Sequence, residues 1–201
     1  MAYPASAVCA IATRPIEEDD RKGATTRALV VVAFYFLLRV GEYTPAPGRR
    51  RRRTVPLRRC DVKFRRTGKV IPLDSPLETL LEADVVTLCL ENQKNGIKGY
   101  VLHHGKTNDS VMCPVRAMAR VIHEGRGLGP KTPIGTYVVG GSANQVTAKD
   151  IRSILRQGAI DDALESSGYD LSRIGSHSLR SGGAVALKLA GHNSDTIKKL
   201  G

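Results

Sequence analysis

Apolar residues recur along most of the chain with helical spacing, and this pattern predicts a protein that is mostly α-helical. The longest apolar stretch lies in residues 24–42, where the absence of an internal proline favours one buried helix that Pro45, Pro47 and Gly48 end. The same spacing predicts further helices over residues 76–83, 114–123, 147–166 and 176–190, and a last one that begins at residue 193 or 194.

Shorter runs rich in β-branched residues predict a small β portion. Residues 54–64 and 70–72 are expected to form two strands that return around Thr67-Gly68. Residues 85–90 and 100–103 are expected to form a hairpin around Asn95-Gly96. The expected fold class is therefore α+β and mostly helical, with helices around a small antiparallel sheet or β-hairpin.

The 201 residues are enough for one large domain. Residues 1–23 contain Pro15 and an acidic string, and we expect them to be an exposed lead-in to a single domain over residues 24–201. The longest apolar run, residues 28–38, is shorter than the ~20 residues that span a bilayer. The chain start also has no basic region of the kind found in secretory signals. We therefore expect neither a membrane protein nor a secreted one.

Positive charge is concentrated in residues 49–69, which we call the basic segment. The chain has 31 Lys and Arg against 19 Asp and Glu, a net charge of +12, and the basic segment supplies +10 of it, with eleven cations against Asp61. The eleven candidate DNA-binding residues are Arg49, Arg50, Arg51, Arg52, Arg53, Arg58, Arg59, Lys63, Arg65, Arg66 and Lys69. Cations that contact phosphates release counterions and so give affinity for nucleic acid. The same composition also fits a solvated loop or a nuclear-import signal.

Residues that commonly hold metals are not arranged for that purpose in this sequence. The four cysteines are widely spaced without a C-x-x-C pair, which indicates neither a zinc site nor a disulfide framework. His103 and His104 would point to opposite faces of a strand, and no cysteine or carboxylate lies at ligand spacing from them. We expect no metal and no cofactor.

Two short constellations combine charges at a spacing that suits an anion site. Arg39 follows the long apolar helix, and Glu42 lies three residues later as its available ion-pair partner. His177 and Arg180 have the same spacing at the start of a predicted helix, with Ser176 as its cap. A helix start, an imidazole and a guanidinium together favour a bound anion. The first constellation alone also fits a purely structural clamp.

In chain order, the R-x-x-E pair, a hairpin lysine and the H-x-x-R pair resemble the catalytic domain of tyrosine recombinases of the phage-integrase type. Four stretches resemble more narrowly the integrase-like proteins of eukaryotic mobile elements: FYFLLRVGEYT, ENQKNGIKGYVLHH, CPVRAMARVIH and SHSLRSGGAVALKLAG. The resemblance covers about residues 24–201. It implies a domain that clamps double-stranded DNA for recombination or integration without metal or nucleotide, and it leaves room for a homo-oligomer on that DNA.

The resemblance also implies roles for individual residues. Such enzymes break one strand by attack of a tyrosine hydroxyl on a phosphodiester. Arg39 and Arg180 would stabilise the charge that develops on the phosphate oxygens, and Glu42 would hold Arg39 in place. His177 would assist proton transfer or bond a phosphate oxygen, and Lys94 would protonate the departing 5′-oxygen. The lysines that compete with Lys94 for this role are Lys98 and Lys106.

The sequence departs from the family pattern in its tyrosines. The nucleophilic tyrosine usually follows the H-x-x-R pair, whereas all six tyrosines of this chain precede His177. We therefore expect a C-terminally truncated recombinase domain that binds DNA and cannot cleave it. A non-catalytic DNA-binding remnant of a mobile element stays open as an alternative, and so does an interaction module whose basic segment is an import signal. The expected location is the nucleus in a eukaryote and the cytoplasm otherwise.

Overall fold

A computed structural model of the protein describes residues 1–15, 17, 19–45, 54–92 and 98–200. Its helices are α1 (Ala5–Thr13), α2 (Arg21–Tyr35), α3 (Leu77–Leu81), α4 (Pro114–Glu124), α5 (Ala148–Asp161), α6 (Ser176–Leu189) and α7 (Ser194–Leu200). Its strands are β1 (Val62–Arg66), β2 (Lys69–Ile71), β3 (Val85–Asn92), β4 (Lys98–Gly105), β5 (Thr136–Val139) and β6 (Ser142–Gln145). Helices surround a small antiparallel sheet, which confirms the predicted α+β fold class.

Helix α2 lies at the centre of the domain. Its residues from Thr25 to Phe34 are all buried, and it packs against α1, α4, α5 and α6. From Ala28 to Phe34 the helix is apolar around its whole circumference, as expected for a helix that is covered on every side. The predicted extension to residue 42 is wrong, because Phe36 closes the last turn and Leu37 adopts a left-handed φ of 51°. Residues 39–42 therefore belong to a separate turn.

The N-terminal residues are part of the core, so the expectation of an exposed lead-in over residues 1–23 is wrong for residues 3–13. Tyr3, Val8 and Ile11 are at most 1% exposed. The Tyr3 hydroxyl donates to the Leu155 carbonyl at 2.8 Å. Helix α1 packs against α2, α5 and α6, and it is this packing that buries its apolar side chains.

Four strands form an antiparallel sheet in the order β2-β1-β3-β4. The predicted β1–β2 return is present, with positive φ values of 46° at Thr67 and 80° at Gly68 that suit a tight hairpin turn. The strand predicted over residues 54–64 begins only at Val62, because residues 59–61 form a 3₁₀ turn. The centre of the β3–β4 hairpin at Asn95-Gly96 lies outside the described residues.

A second sheet consists of β5 and β6 alone and was not predicted, because it lies next to a glycine-rich stretch that favours turns. Helix α5 begins after Thr147, whose hydroxyl caps it as expected, but it ends at Asp161 instead of residue 166. The left-handed φ of 49° at Ala163 explains this earlier end. No helix in the described part of the chain combines the length and apolarity needed to cross a membrane.

Candidate phosphate-binding site

Arg39 and Glu42 form an ion pair in the turn after α2. Arg39 has extended backbone angles, and Val40–Glu42 is a single turn of 3₁₀ helix. The Glu42 carboxylate accepts hydrogen bonds from the Arg39 backbone N–H at 2.7 Å and from Arg39 Nη1 at 3.3 Å. The Glu42 side chain is 2% exposed and the Arg39 side chain 31%. Glu42 therefore holds the Arg39 guanidinium while part of it stays open to solvent, and the pairing expected from the R-x-x-E spacing is present.

Arg180 reaches the same turn from helix α6. Its Nη1 donates to the Leu37 carbonyl, two residues before Arg39. Burial lowers the pKa of Arg180, the positive charge of Arg39 lowers this pKa further, and the negative charge of Glu42 opposes both effects. Arg180 therefore contacts the backbone of the turn that carries Arg39 and Glu42, although Leu37 lies 143 residues before it in the sequence.

Two glycines allow α6 to approach closely enough for this contact. A Cβ atom on Gly183 would lie 2.3 Å from the Phe34 carbonyl oxygen, and one on Gly182 would lie 1.8 Å from the Tyr3 carbonyl oxygen. The Tyr3 backbone N–H also donates to the Ser178 carbonyl at 2.9 Å. The N-terminal segment and the end of α2 are thus in backbone contact with the helix that carries Arg180.

His177 lies on the first turn of α6 and is exposed. It precedes Arg180 by three residues, so the two side chains share one side of the helix. The helix begins at Ser176, and its N-cap is Gly175 instead of the predicted Ser176. The Gly175 N–H is satisfied by the Ser178 hydroxyl, which accepts its hydrogen bond at 3.3 Å.

The structure separates the lysine candidates only in part. Lys94 lies outside the described residues. Lys98 is exposed at the first position of β4. The Lys106 ammonium donates to the Leu81 carbonyl at 2.7 Å, a contact with the end of α3.

Two guanidiniums side by side can bind an oxyanion with several charge-assisted hydrogen bonds. Arg39 and Arg180 repel each other, as the lowered pKa of Arg180 reflects after its burial is taken into account. An anion bound between them would offset this repulsion, in the same direction as the Glu42 carboxylate acts on Arg180. The arrangement is therefore chemically suited to a phosphate group.

A separate apolar groove of about 480 Å³ lies between α1, α2 and α6. Its lining includes Cys9, Phe34, Tyr35, Met112 and Leu187, and it does not include either arginine of the pair. The groove is thus a different surface from the charged site.

Tertiary structure divides the basic segment into paired and exposed cations. Arg49 to Arg53 lie outside the described residues. The prediction that Arg59 binds DNA is contradicted, because its side chain is only 4% exposed. Its Nη1 donates to the Ile122 carbonyl at 2.7 Å and its Nη2 to Asp74 at 3.1 Å. Arg59 therefore links the turn before β1 to α4 and to the segment after β2.

Two other cations of the basic segment form ion pairs with carboxylates from nearby or distant segments. Arg58 pairs with Asp61 in the same turn and with Glu91 of β3, and Asp61 raises the pKa of Arg58 through its hydrogen bonds. Arg66 pairs with Glu82. Lys63 and Lys69 are exposed, and Arg65 is half-buried on the sheet.

No protein-family model and no curated protein matches the chain. Among solved structures, the chain is similar to the Tn1549 transposon integrase in complex with transposon right end DNA, with 15% identity and a TM-score of 0.45 over 97% of this chain and 54% of that one. Complexes of the same integrase with circular intermediate DNA match with TM-scores of 0.37 and 0.38, identities of 15% and 13%, and coverage of 88% and 93% of this chain and 49% and 57% of theirs. The chain thus spans about half the length of these structures.

The sequence analysis did not predict that the N-terminal segment and Gly182-Gly183 position α6, the helix that carries Arg180. Adjacent glycines inside a helix are costly, so Gly182-Gly183 was a signal of close backbone approach. The apolar residues of α1 were a second, weaker signal. Neither signal identifies its partner, because Tyr3 and Phe34 are distant from α6 in the sequence.

Proposed function

We propose that this chain is a DNA strand-breaking and rejoining domain of the tyrosine-recombinase type that does not itself contain the nucleophilic tyrosine, with Arg39 and Arg180 as its phosphate-binding residues. The observation that supports this best is the meeting of the two arginines at the Leu37–Glu42 turn. The R-x-x-E pair and the H-x-x-R pair are far apart in the sequence, so local structure does not explain why they lie at the same turn. Binding of one phosphate group by both arginines would explain it.

In the proposed chemistry, the two guanidiniums bind the nonbridging oxygens of a phosphodiester. In such enzymes a tyrosine hydroxyl attacks the phosphorus and the 5′-oxygen leaves, which increases the charge on the nonbridging oxygens, so fixed cations stabilise the transition state more than the ground state. Glu42 keeps Arg39 in position for this. His177, one turn before Arg180, assists proton transfer or bonds a phosphate oxygen, and Lys94 protonates the departing 5′-oxygen.

A titration with inorganic phosphate and with vanadate tests the two-arginine site. Vanadate can adopt the five-coordinate geometry of a phosphoryl displacement, so we expect it to bind more tightly than phosphate. The guanidinium Nε–H resonances of Arg39 and Arg180 should shift together along one saturation curve. Arg180→Gln should abolish the response of Arg39, whereas Lys188→Gln, an equal charge change later on α6, should leave it intact.

Independent saturation curves for the two arginines, or no response of either, would contradict a shared oxyanion site. Circular dichroism melts of each variant separate loss of binding from loss of fold.

DNA binding without strand cleavage is a second candidate function, and the surroundings of the tyrosines favour it. Tyr3, Tyr43 and Tyr137 are buried, and the Tyr35 hydroxyl donates to the Met112 carbonyl at 2.7 Å. Burial raises the pKa of Tyr3 and of Tyr43, which makes their phenolates harder to form. None of these four hydroxyls is presented as an accessible nucleophile.

A further inference from the structure

One face of the four-stranded sheet carries a row of polar side chains that the proposed strand chemistry does not use. The inner face holds core residues such as Phe64, Leu88 and Leu102. On the outer face, Lys63 of β1 lies opposite Thr87 of β3, and Thr87 lies opposite His103 of β4. Side chains at directly opposed positions of neighbouring strands are within reach of one another. We call this set, with Arg65, the outer-face row.

Hydrogen bonds link the outer-face row and define which atoms it presents. Arg65 Nη1 donates to Thr87 Oγ1 at 3.2 Å, and Thr87 Oγ1 lies 2.9 Å from His103 Nδ1. The guanidinium can only donate, which leaves the single hydroxyl proton of Thr87 for a donor role, and we assign this proton to the bond with His103 Nδ1. The neutral His103 ring then carries its proton on Nε2. Thr87 is 6% exposed, so this connection is shielded from solvent.

The row therefore presents hydrogen-bond donors to the outside. These are the Lys63 ammonium, the remaining N–H groups of Arg65 and the Nε2–H of His103, of which Lys63 and His103 are exposed. The carboxylates at the margins have partners of their own: Arg58 pairs with Glu91, Arg66 pairs with Glu82, and the Thr67 N–H donates to Asp84. A surface that offers donors and positive charge in one row is complementary to an anion with several oxygens.

We propose that the outer-face row binds a phosphate group of the DNA backbone, at a position separate from the Arg39–Arg180 pair. This inference rests on the proposed function, because DNA is the phosphate source it assumes. Val70 and Val101 flank the row and are 60% and 44% exposed, which suits contact with deoxyribose next to a phosphate. Thr87 is a positioning residue that orients Arg65 and His103.

Duplex DNA affinity measured across a salt series tests the proposal. Lys63→Gln and Arg65→Gln should each reduce the slope of log affinity against log salt by up to about 0.9, the value for one lost phosphate contact. Lys188→Gln is the matched control, and the slope should stay at its wild-type value. Thr87→Val keeps every charge and nearly the same shape, so it should fold normally and lower the affinity by a factor of a few.

The nitrogen chemical shifts of His103 give a second measurement. If His103 had only a structural role, these shifts would not change when DNA binds. We expect the Nε2–H form in the free protein, loss of this preference in Thr87→Val, and a shift of Nε2 when duplex DNA is added. The same shift with saturating inorganic phosphate that DNA cannot displace would overturn the assignment to DNA and indicate a small phosphorylated ligand.

If Lys63→Gln and Arg65→Gln both match Lys188→Gln in slope and affinity, the outer-face row does not bind DNA and the proposal is wrong. That result would leave the vanadate response of Arg39 and Arg180 untouched, so the proposed function would stand. If Arg39 and Arg180 do not respond to vanadate while Lys63→Gln and Arg65→Gln still reduce the salt slope, the proposed two-arginine site is wrong and the outer-face row still binds DNA.

Discussion

Arg39–Glu42 and Arg58–Asp61 use the same local device, which gives an internal comparison at the residue scale. In both, an acidic side chain three residues after an arginine accepts from the arginine backbone N–H, at 2.7 Å for Glu42 and 2.8 Å for Asp61. Each carboxylate also pairs with the guanidinium of its own arginine. The two turns differ in surroundings, because Arg180 reaches only the first.

This comparison predicts different outcomes for two neutralising substitutions. Glu42→Gln and Asp61→Asn should each lower the free energy of unfolding by about 1–3 kcal/mol, since each weakens hydrogen bonds to a charged group. Only Glu42→Gln should also weaken vanadate binding, because only Glu42 positions an arginine of the pair. Chemical denaturation and vanadate titration of both variants check this. Equal vanadate affinities would mean that Glu42 is merely structural.

His104 connects the sheet to the end of α2. Its Nε2–H donates to the Tyr35 carbonyl at 2.9 Å, and its ring packs edge-on against Phe36 with the ring centres 4.5 Å apart. Burial lowers the pKa of His104, and the hydrogen bond to Tyr35 partly opposes this. The neutral imidazole is therefore favoured in the folded state.

A pH dependence of stability follows from this lowered pKa. His104 takes up a proton more readily in the unfolded chain, so its contribution is fully present above the unfolded pKa of about 6.5 and is lost as the pH falls through that value. The stability difference between wild type and His104→Gln should therefore shrink below about pH 6.5. Denaturation from pH 8 to pH 5 measures it, with the exposed His192→Gln as control. If the difference in free energy of unfolding between wild type and His104→Gln does not change with pH, the pKa of His104 is not lowered in the folded state.

At the element scale, the position of α6 depends on its two glycines. Gly183→Ala places a methyl group against the Phe34 carbonyl and the Leu37 side chain. In an open helix the same change would stabilise by about 0.5–1 kcal/mol, but here the overpacking should destabilise the protein by about 1–3 kcal/mol. The displaced helix should also withdraw Arg180 from the Leu37 carbonyl.

Thermal unfolding and vanadate titration of Gly183→Ala check both effects. Gly175→Ala is the control, since a Cβ atom there meets open space and the backbone is extended. If Gly183→Ala is as stable as wild type, the close approach of α6 to α2 is not tight.

At the scale of the whole molecule, α1 completes the core from the start of the chain. Ser6 donates to Asp162 at 2.8 Å, and Arg14 pairs with Asp161, so both ends of α1 are held to the end of α5. Removal of residues 1–14 exposes the apolar surface that Tyr3, Val8 and Ile11 cover. We expect a loss of several kcal/mol, from about 1.5–3 kcal/mol per buried large side chain. The charge-neutral variant Ser6→Ala, which leaves the core intact, should cost less than about 1.5 kcal/mol. A shortened chain that unfolds at the wild-type denaturant midpoint would contradict this.

Covalent chemistry is also a property of the whole chain. Because all six tyrosines precede His177, three of them are buried and Tyr35 is hydrogen-bonded to Met112, we expect the 201-residue chain to form no 3′-phosphotyrosyl adduct. A nicked duplex whose cleavage product diffuses away traps such adducts, and mass spectrometry locates them. Binding of the same duplex without adduct is the expected result. An adduct would contradict this expectation, and its position would identify the attacking tyrosine, with the half-buried Tyr100 and Tyr169 as the first candidates.

The sequence alone determined the features whose causes lie within a few residues. The Thr147 cap, the Thr67-Gly68 turn and the Arg39–Glu42 pairing are examples. Their physics is local, since a hydroxyl caps the turn that follows it and a carboxylate pairs with a guanidinium three residues away. Periodicity in the same way predicted the α+β fold class.

Only the tertiary structure decided which charges are available. By composition, Arg59 is one more cation of the basic segment. In the structure its side chain is buried and donates hydrogen bonds to the Ile122 carbonyl and to Asp74. Arg180 reaches the turn that carries Arg39 because α6 packs against α2 through Gly183. The cost of burying a charge depends on the partners that packing supplies, and those partners come from segments far away in the sequence. The local sequence pattern around a charged residue therefore does not identify these partners.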